Sequence, residues 1–107
     1  MRASFPYSIL AAVALWTATA RDAAAGQVIV VKIIDMAFSP ATVKAKVGDV
    51  IEWSNADFLD HTATANDNSF DIPLATGESA RLELKRRGTV SYYCRVHPNM
   101  IGSIDVE

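Results

Sequence analysis

Beyond Gly26 the chain consists of short stretches of strand length separated by turn residues such as Gly48-Asp49. The segment 80–85 reads ARLELK, which places apolar residues on one face of a strand and charged residues on the other. Other segments with this alternation, or with a β-branched or continuous apolar run, are 27–34, 41–47, 50–54, 62–65, 89–94 and 101–106. Without helical periodicity in between, they predict an all-β fold of about six to eight strands, either an antiparallel sandwich or a Greek-key barrel.

Two parts of this pattern indicate where the core lies. The segment 50–54 reads VIEWS and predicts a buried strand that carries Trp53. The segment 66–77 is rich in turn residues and predicts a loop, which Phe70 and Ile72 are expected to anchor to the core. We therefore expect an aromatic core shared by distant parts of the sequence.

The most specific local motif lies near the C-terminus, where Cys94, His97 and Met100 form a C-x-x-H-x-x-M sequence. Cys94 is the only cysteine, and the other of the two histidines, His61, follows the predicted strand 50–54. Two imidazoles, one thiolate and a weak axial thioether are the donor set of type 1, or blue, copper sites. Imidazole nitrogen suits Cu(II) and sulfur suits Cu(I), so the set accepts both oxidation states.

Each of these residues also has a purely structural interpretation. A lone cysteine at a strand end is usually a small buried hydrophobe, and methionine commonly fills irregular gaps in a core. Zinc could occupy the same set, although structural zinc sites normally use cysteine and histidine only. Because every cysteine and histidine of the chain falls where a single metal would need it, we predict one copper ion bound by His61, Cys94, His97 and Met100.

The first 25 residues resemble an export signal. They contain an early positive charge at Arg2, an apolar stretch at 9–20 that is too short to span a membrane, and three alanines directly before Gly26. We expect cleavage of residues 1–25, which leaves one domain at 26–107 without stable membrane insertion. The alternative is a retained anchor helix.

The predicted export and the single cysteine support the same interpretation, in which Cys94 binds a metal. An unpaired thiol in an oxidising compartment is open to oxidation and to intermolecular disulfides, and metal ligation would protect Cys94. A single cysteine also cannot form an internal disulfide in a domain of about 80 residues. A bound metal would stabilise such a small domain in its place.

The charge and the remaining polar residues exclude other functions. The chain carries 10 Lys and Arg against 12 Asp and Glu, scattered along the sequence, so we expect no nucleic-acid partner. No nucleophile and base pair stands out, and we predict that the protein is not an enzyme. Asp57, Asp60, Asp67 and Asp71 lack the glycine and glutamate of an EF-hand, and we interpret them as solvated loop residues.

These features together resemble the cupredoxins, which are type 1 blue copper proteins, and among them the amicyanins most closely. The ligand loop is the most specific element: as in amicyanin, two residues separate Cys94 from His97 and two separate His97 from Met100. Plastocyanin and pseudoazurin have a longer gap before the methionine. The similarity also includes the segments Phe38-Ser39-Pro40, Val47-Gly48-Asp49, Glu52-Trp53-Ser54-Asn55, Asp60-His61-Thr62 and Tyr92-Tyr93-Cys94.

The resemblance implies a soluble, monomeric, periplasmic carrier of one electron. It also implies a redox protein as donor and another as acceptor, such as an amine dehydrogenase and a c-type cytochrome. Two other classes of function remain open. One is storage or delivery of periplasmic copper with the same ligands, and the other is a metal-free sandwich used for adhesion or assembly.

The chain differs from the amicyanins around the site. Val96 replaces the proline before the second loop histidine, Asn99 replaces an aromatic residue, and Thr62 replaces an asparagine. Because proline has no N–H, Val96 is expected to add a hydrogen-bond donor to the Cys94 thiolate. The docking surface is expected to be more polar, with the positive charge of Arg95 favouring an acidic partner.

Overall fold

The computed structural model describes residues 2–4 and 26–107. Apart from 2–4, the export signal predicted for 1–25 lies outside the described residues. Within them, no helix is long and apolar enough to cross a membrane. The described residues form nine strands: β1 Val28–Ile34, β2 Ala37–Ser39, β3 Thr42–Ala45, β4 Val50–Asn55, β5 His61–Ala65, β6 Asp71–Leu74, β7 Ser79–Glu83, β8 Gly88–Tyr93 and β9 Ile101–Val106.

The strands form two sheets, which confirms the predicted all-β sandwich. One sheet has the order β2-β1-β4-β7 and the other the order β3-β9-β8-β5-β6. The sandwich is mixed rather than antiparallel, because β1 pairs with β4 and β3 pairs with β9 in parallel. Alternation in a sequence shows which face of a strand is buried but not which strand lies beside it, so these parallel pairs carry no local signal.

Two strands, β2 and β6, lie outside the predicted set. The turn before β2 is Asp35-Met36, and both residues have positive φ, 52° and 60°, where asparagine or glycine usually marks such a turn. β6 lies in the segment predicted as a loop and contains Pro73, which is tolerated because β6 is an edge strand. Phe70 and Ile72 pack against the core as expected.

An aromatic cluster joins the two sheets. Trp53 of β4 and Tyr92 of β8 are both buried, and their rings meet edge to face with centroids 5.5 Å apart. Phe38 of β2 approaches Tyr92 at 4.7 Å, and Phe70 approaches Trp53 at 5.5 Å. Burial raises the pKa of Tyr92 to about 12, so its hydroxyl stays neutral at physiological pH. Rings packed in this way make a rigid scaffold.

The sheet register brings the predicted ligands to one end of the sandwich. β5 starts at His61 and runs antiparallel to β8, with Thr64 opposite Tyr93. The start of β5 therefore lies beside the end of β8, where Cys94 follows directly. The ligand loop 94–100 then leads into β9, which pairs with β8. His61 and Cys94 thus become neighbours although they are far apart in sequence.

Candidate metal centre

Three of the predicted ligands converge at this end of the sandwich. The ligand atoms of His61, Cys94 and His97 all lie within 4.8 Å of one another. Cys94 Sγ is 3.7 Å from His61 Nδ1 and 3.9 Å from His97 Nδ1. Donor atoms that share one metal at bond lengths of about 2.0–2.3 Å lie roughly 3–4 Å apart. The spacing therefore suits a single ion held by two imidazoles and one thiolate.

Met100 closes the loop that carries the other ligands. Its amide donates to the His97 carbonyl at 2.9 Å, and its carbonyl accepts a hydrogen bond from the Cys94 amide at 3.0 Å. The Met100 side chain is buried in the hydrophobic core. These contacts hold the three loop residues in one compact turn. The role of Met100 as the fourth ligand stays a prediction.

The two histidines differ in their access to solvent. His61 is 1% exposed and Cys94 is fully buried, whereas His97 is only half-buried. This difference agrees with the position of His61 in a central part of the sheet and of His97 in the loop at its end. Only the His97 ring gives the site an edge that a partner molecule can contact.

Hydrogen bonds prepare the Cys94 sulfur for metal binding. The Thr62 amide donates to Sγ at 3.3 Å. Burial raises the pKa of the Cys94 thiol, but bonds from the Thr62 amide, both imidazoles and the His97 amide together outweigh it and bring the pKa to about 6. The thiolate, which is the form that binds metals, therefore predominates at neutral pH.

With this geometry, comparison with known proteins identifies the family. The cupredoxin-like domain model matches residues 7–106. The chain belongs to the cupredoxin-like family. Amicyanin from Paracoccus denitrificans is 31% identical over 85 residues, covering 74% of this chain and 65% of that relative. The chain thus spans somewhat less than two thirds of the length of this amicyanin.

Solved structures support the same assignment. An oxidised methionine-to-leucine variant of amicyanin matches with a TM-score of 0.69 and 26% identity, covering 74% of this chain and 81% of the variant. A Cu-containing nitrite reductase from Thermus scotoductus also matches with a TM-score of 0.69, at 27% identity. The match covers 74% of this chain but 22% of the reductase, so similar domains also occur within enzymes. Family and donor set confirm the predicted cofactor, a single type 1 copper ion.

One of the solvated aspartates predicted from the sequence instead supports a ligand of this cupredoxin. Asp57 Oδ2 accepts a hydrogen bond from His61 Nε2 at 2.8 Å and another from the Met36 amide at 3.1 Å. When copper binds, a proton on Nε2 is held by Asp57, and Nδ1, which faces the sulfur, is left as the metal ligand. The bond to His61, followed by the bond to Met36, lowers the pKa of Asp57. A carboxylate four residues before a metal-binding histidine was the signal available in the sequence.

A buried asparagine organises the loop that contains Asp57. Asn55 donates from Nδ2 to the carbonyls of Leu59 and Leu74, both at 2.9 Å. Its Oδ1 accepts a hydrogen bond from the Asp57 amide at 2.9 Å. One side chain therefore connects the end of β4, the loop after it and β6. This arrangement fixes the direction from which the chain enters His61.

The donor expected at Val96 is not found among the described residues. The amide hydrogen bond to Cys94 Sγ comes from Thr62, and the loop amide that lowers the Cys94 pKa belongs to His97. In turns of this kind the amide three residues after a side-chain acceptor points back toward it. The tight Cys-x-x-His turn thus uses the His97 amide rather than the Val96 amide.

The low pKa of Cys94 gives a prediction for the metal-free protein. We expect the thiol to titrate near pH 6, so that about nine tenths is thiolate at pH 7. The pKa in the folded protein lies below the ordinary value of 9.0, so ionisation of the thiol stabilises the fold. The full contribution is present above pH 9, and it is lost as the pH falls to 6. Ultraviolet thiolate absorbance measures the titration. Denaturant should restore the ordinary value, and a native pKa near 9 would contradict the prediction.

Proposed function

We propose that this protein is an exported type 1 copper protein that carries single electrons between redox proteins. The observation that supports it best is a buried thiolate flanked by two imidazole nitrogens, of which one belongs to a half-exposed histidine. When bound, copper supplies a one-electron couple between Cu(II) and Cu(I). The residues around the site supply a fixed geometry for both states.

Rigidity is what a carrier requires of its ligands, and several contacts provide it. Asp57 holds the His61 ring, and the backbone bonds of Met100 close the ligand loop. The cluster around Trp53 and Tyr92 joins the sheets beneath. Ligands held by such a scaffold move little when the metal changes oxidation state, which lowers the barrier to electron transfer.

His97 is the proposed point of electron entry and exit. It is the partly exposed histidine of the pair, and its neighbour Val96 is 58% exposed. The Arg95 charge is not free for a partner, because Arg95 Nε donates to Asp71 Oδ1 at 2.9 Å. The surface beside His97 therefore presents a paired positive and negative charge rather than the single positive charge expected from the sequence.

The proposed location and partners rest on the predicted export signal and on the similarity to amicyanin. We propose that residues 1–25 are cleaved and that the domain 26–107 acts in the periplasm as a monomer. A redox protein donor and acceptor, such as an amine dehydrogenase and a c-type cytochrome, are consistent with this place. Storage or delivery of copper fits the geometry less well, because exchange requires an open site and both Cys94 and His61 are buried.

Reconstitution of the chain 26–107 with Cu(II) tests this function. We expect one copper per chain and an intense blue colour, because a thiolate bonded to Cu(II) in a trigonal plane absorbs strongly by charge transfer. Reductant should bleach the colour and oxidant should restore it without loss of metal. A colourless, zinc-selective or metal-free chain would contradict the proposal. Rapid loss of Cu(I) to a chelator would favour delivery instead.

A further inference from the structure

Beside the Cys94 sulfur, four residues form a closed ring of hydrogen bonds. The Arg95 amide donates to Thr62 Oγ1 at 2.9 Å, and Thr62 Oγ1 lies 2.9 Å from Thr64 Oγ1. Thr64 Oγ1 donates to Asp71 Oδ1 at 2.7 Å. The Arg95 side chain closes the ring through Nε, 2.9 Å from the same Asp71 oxygen. The ring thus connects β5, β6 and the first residue after the ligand Cys94, so Asp71 is not merely a solvated loop residue.

The chemistry of the ring fixes the direction of every hydrogen bond in it. The bonds from Thr64 and from Arg95 lower the pKa of Asp71, so its carboxylate is ionised and accepts both. The Thr64 hydrogen therefore points to Asp71, and the Thr62 hydroxyl must donate to Thr64. This leaves a lone pair of Thr62 for the Arg95 amide, and each donor has an acceptor.

The ring replaces the backbone hydrogen bonds between the strands where β5 begins and β8 ends. Thr64 lies opposite Tyr93, so two residues further the same register would place Thr62 opposite Arg95. In a regular antiparallel pair these two amides would bond to opposite backbone carbonyls. Here the Thr62 amide instead donates to Cys94 Sγ at 3.3 Å, and the Arg95 amide donates to the Thr62 side chain. The position of the Thr62 amide thus depends on side chains.

We propose that Thr64 and Asp71, together with Arg95, are positioning residues that keep the Thr62 amide directed at the Cys94 sulfur and thereby raise the reduction potential of the bound copper. The inference rests on the proposed type 1 copper function. A hydrogen bond to the sulfur withdraws electron density from the thiolate and so disfavours Cu(II). Residues that hold the donor in place therefore shift the equilibrium toward Cu(I).

Thr64→Val tests the ring without touching a ligand, because valine has the shape of threonine but lacks the hydroxyl. We expect the blue colour to remain and the Cu(II) to Cu(I) ratio at a fixed ambient potential to rise about tenfold, which is a fall of about 59 mV in midpoint potential for one electron. Thr89→Val is the matched control. Thr89 Oγ1 also donates to an aspartate, Asp105, at 3.3 Å, but at the opposite end of β8. Thr89→Val should leave the reduction potential of the copper unchanged.

Asp71→Ala distinguishes the positioning role of Asp71 from a direct effect of its charge on the reduction potential. Removing a negative charge near the copper would by itself raise the potential, whereas loss of the ring lowers it. We expect the reduction potential to fall in Asp71→Ala and to stay unchanged in the control Asp105→Ala. Because Asp71 is exposed, this variant decides the question even if Thr64→Val fails to fold. A rise in Asp71→Ala, or an unchanged potential in a folded Thr64→Val, would overturn the inference.

Hydrogen exchange in the metal-free protein gives a readout that does not need copper. We expect the amides of Thr62 and Arg95 to exchange about tenfold faster in Thr64→Val than in the wild type, with no change in Thr89→Val. Equal rates would overturn the positioning role. A wild-type chain that binds no copper would instead refute the proposed function, while the exchange rates would still decide whether the ring holds the Thr62 amide.

Discussion

Replacing Cys94 with serine should abolish the blue colour and weaken copper binding by more than about 100-fold, a larger loss than removal of an outer hydrogen-bond partner causes. The thiolate is the soft ligand that suits Cu(I), and its pKa of about 6 makes it anionic at neutral pH. A serine hydroxyl is neither soft nor ionised under these conditions. The visible spectrum and the copper content after dialysis measure the effect.

Two controls accompany Cys94→Ser. One checks that the variant still folds, and the other checks that no sulfur outside the ligand loop is needed for the blue colour. Serine is close to cysteine in size, so the metal-free variant should retain its β-sheet circular dichroism. Met36→Leu removes an exposed sulfur outside the loop and should keep both the colour and one copper per chain. A blue Cys94→Ser protein would show that the colour has another origin.

Trp53→Ala is expected to have the largest effect on stability. The Trp53 side chain is fully buried and contacts Phe70 and Tyr92, with both ring centroids 5.5 Å away. Removing such a side chain costs about 3–5 kcal/mol in cavity and transfer free energy. A domain of this size has roughly 4–12 kcal/mol of total stability.

Chemical denaturation of the metal-free variants measures this loss directly. Phe58→Ala is the matched control, because Phe58 is 97% exposed and its removal should change stability by less than about 0.5 kcal/mol. Copper should recover part of the lost stability in Trp53→Ala, since a ligand that binds only the folded state stabilises it by mass action. Equal effects of the two substitutions would contradict the central position of Trp53.

Local patterns in the sequence predicted most of the strands. The strand predicted at 101–106 matches β9, and the apolar run at 50–54 lies within β4. β2 was not predicted because Asp35-Met36 adopts the positive φ of its turn without a glycine or an asparagine to mark it. β6 was obscured by Pro73, which usually argues against a strand. The parallel pairs could not be predicted, because pairing depends on distant parts of the chain.

As with the strands, some features of the candidate site could be predicted from the sequence and others could not. The convergence of His61, Cys94 and His97 was predictable because cysteine and histidine are chemically distinctive and rare in this chain. The hydrogen-bond partners of the ligands could not be predicted. An aspartate can have many roles, and the residue that it contacts depends on how distant loops come together in the folded chain. The Val96 amide was misassigned for a related reason: the direction of an amide depends on backbone torsions that the residue type does not fix.

The parallel pairing of β3 with β9 also determines when the metal centre can form during synthesis. β9 follows the ligand loop in the sequence, yet it lies between β3 and β8 inside its sheet. Until β9 emerges, β8 lacks one neighbour and the loop 94–100 has no fixed C-terminal end. Sheet and ligand loop are therefore completed together. A chain that still lacks β9 does not hold the ligand loop in its final geometry.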